Sequence, residues 1–284
     1  MKTPAELMIE RETRVSLGPV PRCLFGDPLG ETTWQMLDDE FLLRGEGDHY
    51  FHYRKGFGIT IDRGEDADLS EEALWLNGSV YGAVASLNGL VPIHASAVAL
   101  GGRVFAFTGP AGAGKSTLVA ALGDLGLPMF CDDTLVLDLS DPDRIICLPG
   151  HKRMKLRPDA LELTGAVKQE EVSKTVDKVY ALPSAGDVSF ALPLACLVFL
   201  EEGNSLKVEP ISGAERLRRL QDDHQTSQLY GAAQQLDRAG QFSHLIRLAR
   251  QIDMAVFTRP RDVMRFKEGA TVAASYIEKA CQEP

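Results

Sequence analysis

The spacing of apolar and polar positions changes several times along the chain. Over residues 1–68 the apolar runs are short and broken by turn residues. Tyr50–Tyr53 and Phe57–Ile61 alternate as half-buried strands do, so this stretch reads as a β-rich N-terminal portion. Ser70-Glu71-Glu72 then has the pattern of a helix start, a capping residue followed by acids. That helix is expected to run to about Asn88 and stop at Gly89. Val91–Leu100 and Arg103–Thr108, separated by Gly101-Gly102, predict a β-hairpin. A helix over Lys115–Leu125 follows, halted by Gly126 and Pro128, then a short strand Met129–Cys131 and a returning strand Thr134–Leu139.

Strand 103–108, helix 115–125 and strand 129–131 read as a βαβ unit with parallel, adjacent strands, whose C-terminal ends share one edge of the sheet. Residues 149–180 are polar and mixed in charge, and their length suggests a mobile segment over that edge. Leu192–Leu200 predicts another strand, ending at Glu201-Glu202. Ala214–Gln221, Ala239–Ile252 and Ala270–Cys281 predict helices, and Met254–Phe257 a last strand. The division expected is a portion over 1–68 and a catalytic domain over 69–284.

Composition narrows the function without naming it. The chain has 284 residues and a formal net charge of −10, which argues against a broad nucleic-acid surface or an acidic membrane as main partner. Residues 73–102 carry no charged side chain, but Asn77, Asn88, Pro92, His94 and several glycines interrupt them. A buried helix and strand are expected there, not a membrane span. The five cysteines are scattered, without a paired spacing, and the charged start does not read as a secretion signal. Reduced thiols, no zinc site and a cytoplasmic location are expected.

The chemistry concentrates after the hairpin. Gly109-Pro110-Ala111-Gly112-Ala113-Gly114-Lys115-Ser116-Thr117 is a complete G-x-x-x-x-G-K-S loop between an apolar strand and a helix. Its glycines let backbone N–H groups turn around phosphate oxygens, with the helix N-terminus aimed at the anion. Lys115 would reach the β- and γ-phosphates and Ser116 would hold Mg²⁺. Asp132-Asp133 ends the next strand. A turn could converge the two carboxylates, one to coordinate the metal and one to take a proton from an attacking hydroxyl. A nucleotidase, in which the acids hold only metal and water, is the competing reading. His94 could orient a carboxylate or contact phosphate, or it could be a satisfied core residue.

Lys152, Arg153, Lys155 and Arg157 could neutralise phosphate or grip an acidic substrate. Arg157, between Leu156 and Pro158, is the best placed to join the nucleotide site; Lys174 and Lys178 are weaker candidates. A solvated basic face accounts for the same four residues. Glu201 is a candidate supporting acid or a surface charge, and Cys131 a small buried residue.

His94-Ala95-Ser96-Ala97-Val98, the hairpin, the loop and Cys131-Asp132-Asp133 together resemble the catalytic domain of HPr kinase/phosphorylase. The spacing is also similar, fifteen residues from His94 to Gly109 and seventeen from Lys115 to Asp132. The match covers about residues 91–140, and 149–165 and 192–202 look like the continuation in shorter HPr-kinase-like proteins. The resemblance implies an α/β fold of the HPr kinase and phosphoenolpyruvate carboxykinase group, with a mixed sheet. It also implies ATP and Mg²⁺ as cofactors, Lys115 on phosphate, Ser116 on magnesium and His94 near the phosphates. Asp132 is then favoured as base and Asp133 on the metal, with the reverse open. Thr117 stands where the bifunctional enzymes carry an acid, their glycine-rich segment after the Asp pair is not recognisable, and the N-terminal portion does not look like their regulatory domain. The layout is closer to kinases of peptide biosynthetic clusters, including those that phosphorylate a lasso-peptide precursor.

The function expected is phosphorylation of a serine hydroxyl on a peptide or small protein, by an enzyme that could be a homo-oligomer. A kinase of a free small molecule, such as an amino acid, would use the same site. A nucleotide-gated binding module would need the loop but not both acids.

Overall fold

The computed structural model describes residues 2–31, 33–46, 48–65, 67–173, 176–221 and 228–282. Chain contacts divide it into two units, Met1–Pro92 with Ser227–Gln241, and Ile93–Thr226 with Phe242–Pro284.

The first unit opens on a helix, Pro4–Glu12, that the alternation argument passes over. Its signal is local: the Thr3 hydroxyl accepts from Glu6 N–H while the Glu6 carboxylate accepts from Thr3 N–H, and Pro4 occupies the first helical position. A five-stranded sheet follows in the order 15–17, 58–62, 50–54, 40–44, 34–36. Its first pair is parallel and the rest antiparallel. Phe41, Phe51, Tyr53, Ile59 and Ile61 are its buried centre. The expected helix from Ser70 is present with a different start. Asp68 is the cap, accepting from Ser70 N–H, so Ser70 lies inside the first turn. The helix passes through one π-helical stretch, Leu76–Val80, before its last segment, Tyr81–Leu87, and Gly89 follows with φ of +77°. The helix Gln228–Leu236, not anticipated, packs so close to Tyr81–Leu87 that a Cβ on Gly82 would lie 2.7 Å from the Tyr230 ring.

In the second unit the hairpin forms with a shorter first strand than the Val91–Leu100 expected, because the chain breaks at His94 and Val91–Ile93 is a separate strand. Ala95–Leu100 and Arg103–Thr108 pair antiparallel around Gly101 and Gly102, both at positive φ. Leu192–Glu202 lies parallel to Arg103–Thr108 on its other side, and Asp253–Arg259 lies parallel to Leu192–Glu202. Met129–Cys131 pairs with Ala95–Leu100, not with the loop strand. This corrects the expectation of adjacency. The hairpin strand stands between the two strands of the βαβ unit because its second edge supplies the ladder that Met129–Cys131 needs. Both outer strands run antiparallel to it, so they are parallel to each other and their C-terminal ends do share one edge. Phe105, Phe107, Leu118, Val119, Phe257 and Ile277 meet in one buried core that ties this sheet to the helices Lys115–Asp124 and Phe266–Gln282.

The stretch 149–180, expected as a mobile segment, carries structure of its own. Met154–Leu156, Val179–Leu182 and Val167–Glu171 form a three-stranded antiparallel sheet, with a short helix Pro158–Glu162 between the first strand and the last named. The apolar Met154, Leu156, Val179 and Ala181 are buried, which a solvated segment could not offer.

Candidate active site

The loop leaves the buried strand Arg103–Thr108 at Gly109, whose φ of +147° is open to glycine, and Gly112 and Gly114 follow at +79° and +81°. Ala113 between them is not at positive φ, so the sign of φ alternates along this part of the loop, a feature shared with anion-binding nests. Pro110, Ala111 and Gly112 are exposed; Ser116 and Thr117 are half-buried on the first turn of helix Lys115–Asp124. Lys115 is only 5% exposed. Its ammonium donates to Gly109 O at 2.8 Å and Pro110 O at 3.1 Å. Burial lowers its pKa to about 8, against the opposing pull of Asp132 and Asp133, with Lys178 adding to the decrease.

The Asp pair sits in a strained turn. Asp133 has φ of +72°, and Thr134 N–H bonds Asp132 O at 2.9 Å, the two marks of a three-residue γ-turn. Non-glycine residues in such a backbone are costly and cluster at functional sites. Both carboxylates meet Lys155, Asp132 at its backbone N–H and Asp133 at its ammonium. Asp132 is 3% exposed and fully engaged, Oδ1 accepting from Ser96 Oγ at 2.6 Å and Oδ2 from Lys155 N–H at 3.0 Å. The Asp133 side chain is 28% exposed, and its Oδ2 accepts from Lys155 Nζ at 2.6 Å. Burial works against the charge on Asp133. Lys155 outweighs it, with His94 and Lys178 helping, so the carboxyl titrates below its ordinary value.

His94 Nδ1 lies 2.9 Å from Asp133 O and 3.6 Å from its Oδ1. The carbonyl can only accept, so the ring proton belongs on Nδ1 and Nε2 keeps its lone pair. Burial, and then the Lys115 charge, lower the His94 pKa and keep the ring neutral. Thr108 Oγ1 donates to His94 O at 3.0 Å and fixes this corner to the strand that feeds the loop.

The basic cluster divides by role. Lys152 donates to Phe130 O and Val188 O, a structural use. Arg153 lies over the Tyr180 ring at 3.9 Å and pairs with Glu170. Arg157, named in sequence as the member suited to the nucleotide, is 63% exposed and pairs with Asp177 and Asp159. The residue that reaches the acids is its neighbour Lys155. A readable signal existed: in an extended Met154-Lys155-Leu156 the two apolar residues point one way and Lys155 the other. Ser96 and Arg259, which donates to Ala113 O and Gly114 O, carried no comparable signal. Glu201 is taken by an ion pair with Arg219, and Cys131 is buried with its thiol pushed up by burial. Lys174 lies outside the described residues. Among the described residues, no group of three or more His, Cys, Asp or Glu could hold a metal ion. Among the same residues, no helix is long and apolar enough to cross a membrane.

No protein-family model matches this chain, and no curated protein sequence matches it. A solved structure, described as the Hpr(Ser) kinase/phosphatase from Coxiella burnetii, is similar over 66% of this chain and 97% of its own, at 14% identity and a TM-score of 0.34. That is too distant a likeness to carry a fold or an activity from one chain to the other.

Proposed function

We propose that the chain is an ATP- and Mg²⁺-dependent kinase that phosphorylates a serine hydroxyl of a peptide or small protein. The observation that carries this reading is the meeting, at one sheet edge, of the loop with its desolvated Lys115 and a strained turn that presents two carboxylates. Phosphoryl transfer asks a protein for positioning, compensating charge and a proton acceptor near the nucleophile, and these residues offer each. The peptide acceptor rests on the sequence resemblance.

The donor set fits a hard cation beside a polyphosphate. Ser116 and Asp133 are oxygen donors, and Mg²⁺ characteristically keeps waters and phosphate oxygens in place of a full protein cage. When bound, the metal would neutralise charge on the phosphate oxygens. Lys115 would exchange its two carbonyl partners for the terminal phosphates, which relieves the penalty of its burial. Lys155 holds Asp133 ionised, the state in which it can serve a cation. Asp132, oriented by Ser96 and Lys155 N–H, would accept the serine proton.

Transfer of labelled phosphate from ATP to a serine-bearing precursor peptide tests this. Asp132→Asn is expected to lower the transfer rate by about 10²- to 10⁴-fold with nucleotide affinity kept. Asp133→Asn is expected to raise the Mg²⁺ concentration required. Wild-type transfer by Asp132→Asn would sink the base assignment. Label appearing in free metabolites and in no peptide would move the acceptor to a small molecule.

A further inference from the structure

Arg259 ends the last strand of the sheet and has no role in the reading above. Phe199 pairs with Thr108 and Glu202 with Arg259, so Arg259 stands three residues, roughly 10 Å, beyond the end of the strand that feeds the loop. Its Nη2 donates to Ala113 O at 2.5 Å and reaches toward Gly114 O at 3.4 Å. A Cβ on Gly114 would lie 2.7 Å from the same nitrogen, so the glycine both adopts its left-handed backbone and leaves room for the guanidinium. Among the described residues no carboxylate forms an ion pair with Arg259, and burial alone lowers its pKa. A desolvated cation without an acid is costly in a resting protein and becomes favourable when an anion arrives.

Peptide geometry supplies the link to binding. In a trans peptide the C=O of one residue and the N–H of the next point in opposite directions. A guanidinium that draws the Ala113 carbonyl to its own side turns the Gly114 N–H to the other. The Gly114 carbonyl is already directed along the helix by Leu118 N–H at 3.0 Å, which leaves the Lys115 N–H at the helix N-terminus. The geometry points to Arg259 as the positioning residue of an anion site: it sets the Ala113–Gly114 peptide plane so that the Gly114 N–H, beside the Lys115 N–H of the helix terminus, faces the phosphates of a nucleoside di- or triphosphate, and it adds one positive charge behind them. The inference rests on the nucleotide reading above and extends it to a residue outside the loop.

Isothermal titration of wild type, Arg259→Met, Arg259→Lys and Lys115→Met with Mg-ATP, Mg-ADP and inorganic tripolyphosphate tests it, with melting temperature and the KM for each substrate measured in parallel. Arg259→Met is expected to weaken all three polyphosphates by ~10- to 100-fold, the loss of a charge-assisted hydrogen bond. The KM for ATP should rise while that for the acceptor stays. Arg259→Lys, able to hold one carbonyl, should recover the melting temperature fully and the affinity partly. It also carries the test if the methionine variant does not fold. Wild-type polyphosphate affinity in either variant would overturn the role of Arg259. Absence of nucleotide binding by the wild-type protein, unchanged in Lys115→Met, would instead overturn the nucleotide reading and this inference with it.

Discussion

Asp133 combines an unfavourable backbone, a partly buried carboxylate and a single close cation, Lys155. Removing that cation with Lys155→Met leaves the burial and deletes the largest of the charges that offset it. The Asp133 pKa is then expected to rise, with a stability loss of about 1–3 kcal/mol; carboxyl-carbon NMR through an acid titration and urea unfolding would read both. Lys115 gives a second residue-scale prediction. Its pKa in the free protein is lowered to about 8, and a phosphate bound beside it would restore its proton. Nucleotide affinity should therefore be level below pH 8 and fall above it, with net proton uptake on binding. Titration in buffers of different ionisation enthalpy measures that uptake, and a flat profile would place Lys115 away from the phosphates. At this scale the loop and the Asp pair were legible because their chemistry is written in consecutive residues. Ser96 and Arg259 were not, since each acts on residues that the chain brings near only after folding.

Elements are separated by the same distinction between local and distant causes. The Gly101-Gly102 hairpin followed from two apolar runs and a turn that needs positive φ twice. The order of strands did not, because periodicity says which face is buried and nothing about which neighbour supplies the ladder. The three-stranded sheet over 149–180 escaped because its strands are three to five residues long and one of them, Val167–Glu171, is exposed throughout, too little for a period to show. In the N-terminal unit, Gly56 and Gly58 both have φ near +85°, at +84° and +85°. A Cβ on Gly58 would lie 2.7 Å from Arg14 O, whereas one on Gly56 meets open space. Gly58→Ala is expected to cost roughly 1–3 kcal/mol and Gly56→Ala nearer to ~1 kcal/mol, where only the backbone conformation is strained. Urea midpoints of the two variants compare them directly; equal losses would remove the steric part of the argument.

The whole molecule carries buried histidines in both units. Burial lowers the pKa of His49, His94 and His151. Each folded pKa lies below that of the unfolded chain, so unfolding takes up protons once the pH drops below about 6.5. Stability is complete above that pH and declines as the pH falls toward the folded values, at most by ~4 kcal/mol per unit if all three contribute. Urea unfolding between pH 8 and 5 should show the decline, and His94→Gln should lessen it. The sequence by itself determined the glycine-rich loop, the hairpin turn before it, the acids after it and the β-rich start, because each depends on residues within a few positions of one another. Tertiary structure alone decided that residues 227–241 join the N-terminal unit and that the hairpin strand parts the βαβ pair. It also decided that Lys155, not Arg157, meets Asp133. Those outcomes turn on which surfaces remain to be buried and which charges remain to be matched once the local elements have formed.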